Sequence, residues 1–130
     1  LISVHGENAN AAEALSHITK LGLKAGIVLK VETPVSKVDT LFPHIDFLTL
    51  LGTAIGVKGQ GLDPAATTRL QDAKSMIAKA GRRIVLAADG GIRENTVPDL
   101  RKAGAETVVL GSLAFGAPDL GARMAWLKKL

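Results

Sequence analysis

"AADGGIRENTVPDLRKAGAETVVLGSLAF", residues 87–115, decides how the fold is read. An apolar, strand-like run ends on Asp89, Gly90 and Gly91. A helix-like segment follows, and a second apolar run closes on Gly111 and Ser112. Working outward, the same alternation recurs along the chain, with apolar runs bounded by Gly or polar residues and separated by stretches of helical period. "LISVH" precedes "NANAAEALSHITKLG", in which Ala11, Ala14, Leu15, Ile18 and Leu21 form one stripe and Gly22 is the stop. "KAGIVLK" precedes "TPVSKVDTLFPHI", a short helix with Pro34 near its start and Pro43 at its end. "DFLTLLG" leads through a glycine-bearing loop, residues 52–61, into "PAATTRLQDAKSMIAKAG", where Leu70, Ala73, Ile77 and Ala80 recur at helical spacing. "RRIVLAADGG" and "AETVVLGS" complete the strands, and "APDLGARMAWLKKL" is a terminal helix. Strands apolar on both faces, each followed by a helix, point to parallel strands covered by helices. Five such units fit either an open sheet or part of an eight-stranded barrel, and in both the ligand site lies where strands end and helices begin.

Bulk properties narrow the function classes. A chain of 130 residues is expected to form one domain, residues 1–130, and to bury roughly two-thirds of its unfolded surface. No apolar run approaches the ~20 residues of a membrane span, so no membrane partner is expected. Cysteine is absent, which removes disulfides and thiolate chemistry and leaves the cytoplasm as the expected compartment. The net charge of +4 is dispersed, tyrosine is missing, and aromatics make up 3% of the residues, so nucleic acid is not expected as a partner. "LISVHGE" opens on a strand without an initiator Met, as a chain starting mid-protein would.

The unusual residues gather at one predicted edge: His5, Lys30, the 52–61 loop, Asp89-Gly90-Gly91 and Gly111-Ser112. Three glycine-bearing loops at a rim, with helix N-termini behind them, suit a phosphate, although each glycine alone also suits a tight turn. Asp89 at a strand end either meets a metal or moves a proton, or else caps the Gly-Gly turn. His5 reaches the same rim, as a site residue or as a hydrogen-bonded structural histidine. His17 and His44 read as surface or capping residues. "GVKGQG" lacks the Gly-Lys-Ser/Thr ending of a P-loop, and no dinucleotide fingerprint follows the first strand.

In order, these motifs resemble those of the ribulose-phosphate 3-epimerase family. "ISVHGE" resembles the family's His strand with a Glu close behind, and "LGLKAGIVLKVETP" its Gly-x-Lys-x-Gly-x-x-x-Asn-Pro-x-Thr-Pro segment. "IDFLTLLGTAIGVKGQG" is similar to its Met-x-Val-x-Pro-Gly-Phe-Gly-Gly-Gln strand and loop, with Lys58 where a glycine is expected. "ADGGI" and "AGAETVVLGSLAF" are similar to its Val-Asp-Gly-Gly-Ile and Ala-Gly-Ala-Asp-x-x-Val-x-Gly-Ser-x-x-Phe signatures. The resemblance implies a TIM (βα)8 barrel, of which this chain supplies about strands 4 to 8, the rest coming from a missing N-terminal half or a homo-oligomeric partner. It implies epimerisation of a ketose phosphate at carbon 3 through an enediolate, with a divalent metal (Zn, Fe or Mn). Asp89 would be the catalytic acid/base and metal ligand, while His5, Gly59, Gln60, Gly90, Gly91, Gly111 and Ser112 would bind substrate and its phosphate. Because the other acid and the histidine ligands belong to the absent strands, these residues alone are expected to be inactive. The alternatives are a non-catalytic phosphate-binding half-barrel and a sugar-phosphate lyase or synthase on a related barrel.

Overall fold

A computed structural model describes residues 1–57 and 59–130. Lys58, noted above in place of an expected glycine, lies outside the described residues. The strands are β1 (Ile2–His5), β2 (Ala25–Leu29), β3 (Phe47–Leu51), β4 (Val85–Asp89) and β5 (Thr107–Val108). They form one parallel sheet in the order β1-β2-β3-β4-β5. This order separates the two readings that periodicity leaves open. A doubly wound sheet reverses its strand order at a switch point, whereas here every crossover advances one strand in the same direction, as in a barrel. The molecule is an arc of a TIM barrel.

The helices follow from their apolar stripes. Helix α1 (Ala11–Lys20) buries Ala11, Leu15 and Ile18. Helix α2 (Ala66–Ala80) buries Ala66, Leu70 and Ala73 and stops at Gly81, whose φ of 67° is the left-handed conformation glycine adopts without strain. Helix α3 (Val97–Ala103) starts with Pro98 in its first turn, where the missing N–H costs nothing, and buries Val97, Leu100 and Ala103. All three pack on the outward strand residues Ile27, Leu29, Leu48, Leu50, Leu86 and Ala88, each nearly inaccessible to solvent. Strand alternation turns the other set, including His5, Val28, Thr49, Leu51 and Asp89, to the concave face, where these residues are half-buried.

Three expectations are corrected. The segment between β2 and β3 is a run of 3-10 turns, Val35–His44, with Pro43 inside it rather than at its end. Val35, Val38 and Phe42 bury together, and Pro43 has no N–H for an α-helical bond. The last strand is far shorter than residues 105–112, because only Thr107 and Val108 pair, with Ala87 and Ala88. The chain then leaves the sheet at Gly111, with φ 49° and ψ −125°, into a short unexpected helix, α4 (Ser112–Phe115). The terminal helix, α5 (Leu120–Leu127), buries no residue fully and is capped by Asp119, which accepts the Ala122 N–H at 2.9 Å.

Candidate functional site

Parallel strands that all run one way place their last residues at one rim, so β1, β3 and β4 deliver His5, Leu51 and Asp89 together. A cleft of about 530 Å³ opens there, lined by His5, Val28, Leu51, Thr53, Asp89, Gly90 and the loop residues 54–57. A second cleft of about 580 Å³, between the 3-10 segment and α2, holds none of the expected site residues. Of the expected site residues, His5, Asp89 and Gly90 line the rim cleft. Gly91 stands behind it against Leu62, while Gly59 and Gln60, in the 52–61 loop, and Gly111 and Ser112, at the start of α4, lie outside its lining.

Two loops interlock at this rim. The Gly52 N–H donates to the Asp89 carbonyl at 2.7 Å, and a Cβ on Gly52 would sit 2.6 Å from the Gly90 oxygen. A Cβ on Gly90 would run into the Thr53 Oγ1, and one on Gly91 would sit 2.9 Å from the Leu62 Cα. Gly90 and Gly91 also have φ of 85° and 69°. Backbone approach therefore accounts for these glycines without any ligand. Gly111 differs, since its positive φ faces open space. The amides of Gly90, Gly91, Gly111 and Ser112 donate to no group among the described residues, which leaves four N–H groups at the rim for an anion. Gln60 is a loop brace, its Oε1 accepting the Ala54 N–H at 2.9 Å.

Asp89 stands apart from the other half-buried acids, Glu7, Asp46 and Asp63, each of which accepts a backbone N–H. Asp63 and Asp119 accept backbone N–H groups two and three residues ahead. At the opposite end of the sheet, Asp46 pairs with Lys24 and Arg82, and Glu106 with Arg83. The Asp89 carboxylate takes no such bond and meets no cation within ion-pairing distance among the described residues, so the turn-capping role does not account for it. His5 has a carboxylate behind it: its Nδ1 lies 3.4 Å from the Glu7 Oε2, and both atoms are buried. Burial acts to raise the Glu7 carboxyl. Hydrogen bonds from the Thr33 hydroxyl, the Lys30 amide, its own amide and His5 outweigh it and hold the group below the usual carboxylate range.

Sequence reasoning missed Thr33 and Arg69, and read Glu7 only as the Glu close behind the His strand. Arg69 lies on the core-facing side of α2, between Ala66 and Ala73, and its guanidinium donates to the carbonyls of Leu51 (3.0 Å), Lys30 (2.7 Å) and Thr33 (3.1 Å). Burial lowers its pKa, opposed by the charges of Asp63, Glu32 and Glu7. The readable signal was a cation inside an apolar stripe at helical spacing. No three metal-ligating side chains converge among the described residues. Asp89 and His5 share the cleft but do not make up a ligand set, so these residues by themselves do not fit a divalent metal.

A parallel sheet in sequential order, covered by helices on its outer face, belongs to the α/β-barrel fold class. The family described as "Ribulose-phosphate 3 epimerase family" matches residues 1–115, and the chain belongs to that family. It is 35% identical over 130 residues to "Ribulose-phosphate 3-epimerase" of Aquifex aeolicus, covering 99% of this chain and 59% of the relative. It is 35% identical over 124 residues to "Ribulose-phosphate 3-epimerase 2" of Cupriavidus necator, covering 92% of this chain and 52% of the relative. To the Escherichia coli K12 "Ribulose-phosphate 3-epimerase" it is 32% identical over 120 residues, covering 92% and 53%. The chain thus spans between half and three-fifths of these relatives. Among solved structures, "Crystal Structure of 3-Hexulose-6-Phosphate Synthase" superposes with a TM-score of 0.69 at 20% identity, covering 98% of this chain and 59% of that one. That likeness supports the barrel fold. No helix of the described residues is long and apolar enough to cross a membrane.

Proposed function

We propose that these residues form the five-unit C-terminal portion of a cytoplasmic ketose-phosphate 3-epimerase, folding as one domain, with Asp89 as one of two acids that exchange a proton at carbon 3. The observation carrying this reading is a half-buried carboxylate without a cation or backbone partner among the described residues, in a cleft with His5. Asp89 takes the proton from carbon 3, the C–H electron pair forms the C2–C3 double bond, and the carbonyl electrons move to O2. Protonation from the opposite face re-forms the C–H bond and the carbonyl with inverted configuration, and the phosphate is untouched. The rim amides of Gly90, Gly91, Gly111 and Ser112 hold that phosphate, and Gly59 and Gln60 shape the loop beside it.

The cleft offers one carboxylate among the described residues, so the second acid belongs to barrel units beyond these five, in the same polypeptide or a second copy. The divalent metal that the family implies (Zn, Fe or Mn) belongs to the same completed barrel, where Asp89 would be one ligand among others, and no step above runs through it. The family match favours epimerisation over a lyase or synthase reaction, and the unpaired Asp89 favours it over a binding module without chemistry. The test is Asp89→Asn in the complete protein, assayed by solvent deuterium entering carbon 3 of D-ribulose 5-phosphate and by calorimetry of ligand binding. A positioned acid/base supplies ~10²–10⁴-fold, so exchange should fall at least that far while binding persists. Exchange within about tenfold of wild type would remove Asp89 from the proton path.

A further inference from the structure

Behind His5, on the side away from the cleft, stands a set of residues that the proposed reaction does not itself use. Gly6 lets the chain turn tightly after β1, since a Cβ there would meet Leu29, Val38 and Ile27 at 2.8, 2.9 and 3.0 Å. That turn brings Glu7 under the rim. The Lys30 N–H donates to the Glu7 Oε1 at 2.8 Å, and Thr33, the one buried polar residue among the described residues, helps hold the carboxyl below the usual carboxylate range. Arg69 in turn holds the carbonyls of Lys30 and Thr33. Glu7 is therefore fixed on one side, and its Oε2 is left to His5 alone: neither that oxygen nor the His5 Nδ1 has another partner among the described residues, and both are buried. The rest of the ring is open, the His5 side chain being 38% exposed and lining the rim cleft.

We propose that Glu7 is a positioning residue that locks the neutral His5 ring with its proton on Nδ1, so that Nε2 presents a lone pair to a hydroxyl of a sugar phosphate in the rim cleft. A lone pair on Nδ1 would face a carboxylate oxygen across a buried gap, leaving two acceptors without a donor, which desolvation penalises heavily. A proton there satisfies both atoms. The 3.4 Å separation is slightly longer than a typical N–H···O bond, and a small rotation of the ring closes it. The partner of one ring nitrogen thus sets the function of the other. Orientation of His5 follows from Glu7, Thr33 and Arg69 whatever the reaction. Its use toward a hydroxyl rests on the sugar-phosphate reading above.

The tautomer is read by long-range ¹H–¹⁵N correlation on the uniformly ¹⁵N-labelled chain, which also reports the rim amides, with His5 assigned by the loss of its ring signals in His5→Asn. The wild-type ring should carry its proton on Nδ1. In Glu7→Gln, the Lys30 N–H still demands the oxygen, which turns the amide NH₂ toward the ring, so the proton should move to Nε2. A wild-type ring protonated on Nε2, or a Glu7→Gln ring that keeps the wild-type tautomer, overturns the positioning role. The wild-type spectrum decides by itself should the variant not fold. Adding D-ribulose 5-phosphate should move the Nε2 resonance, while inorganic phosphate should move the rim amides only. If the sugar phosphate shifts the amides of Gly90 and Gly111 but leaves Nε2 unmoved, the acceptor role is lost and the phosphate reading stands. If neither responds, the proposed ligand fails, and the tautomer result is unaffected.

Discussion

Replacing Arg69 by Met removes the guanidinium and keeps most of the stem. Three carbonyls lose a donor, but unequally: the Lys30 oxygen still accepts the Thr33 N–H at 3.1 Å, whereas the Leu51 and Thr33 oxygens depend on Arg69. A hydrogen bond to a charged group contributes about 1.5–3 kcal/mol, and a shared cluster is less than additive. Water reaches part of this half-buried site, so the loss should be about 2–4 kcal/mol, a large share of a typical domain's stability. Arg69→Lys should fall between, since an ammonium keeps the charge but lacks the planar fork that spans several carbonyls. The assay is urea unfolding of the chain followed by far-ultraviolet circular dichroism and Trp126 fluorescence. A Met variant within about 1 kcal/mol of wild type, or a Lys variant no better than Met, would refute the clamp.

Two further outcomes separate packing from charge. Gly52→Ala should destabilise by about 1–3 kcal/mol, because its Cβ would meet the Gly90 oxygen and the Leu62 Cδ1, both at 2.6 Å. Gly61→Ala, in the same loop with open space around it, should change stability by less than about 0.5 kcal/mol; equal effects in urea unfolding would sink the interlock. Glu106 is held below the usual carboxylate range by its hydrogen bond from Arg83, against an opposing effect of burial and with help from the Leu86 amide. Its folded pKa is depressed, so its contribution is present above the unfolded value of ~4.3 and lost as pH falls through the lower folded value. Glu106→Gln should therefore flatten the acid limb of stability against pH, and an unchanged limb would contradict the assignment.

The βα alternation was legible because each strand is apolar and each covering helix carries a stripe: Leu15 and Ile18 in α1, Leu70 and Ala73 in α2. The choice between open sheet and barrel was not, since strand order depends on contacts between units rather than on the period within one. Likewise β5 looked eight residues long in its apolar pattern, yet pairing with β4 covers two. At the site, Asp89 and His5 announced themselves by falling at strand ends. Glu7, Thr33 and Arg69 did not, because what joins them is the meeting of a β1 turn, a β2 turn and a helix far along the chain, with Lys30 and Arg69 39 positions apart. The Asp89 glycines were legible as a motif but ambiguous in cause, and the close approach of Thr53 and Leu62 supplies a structural cause for both.

A glycine whose Cβ would strike a neighbouring loop is held for packing, and a glycine facing open space is held for its backbone conformation. Gly90 and Gly91 are of the first kind and Gly111 of the second. The interlock of the β3 and β4 loops fixes where the Asp89 backbone sits, through the Gly52 N–H on its carbonyl, while the carboxylate makes no bond of its own among the described residues. Charges at the other end of the sheet behave in the opposite way: Asp46 and Glu106 are tied to cations and backbone amides alike. Paired acids, Asp46 and Glu106, thus stand at the N-terminal ends of the strands, and Asp89, uncommitted among the described residues, at a C-terminal end. An acid positioned by its backbone and left unpaired at its side chain is free to exchange a proton, which a salt-bridged acid at the same position is not.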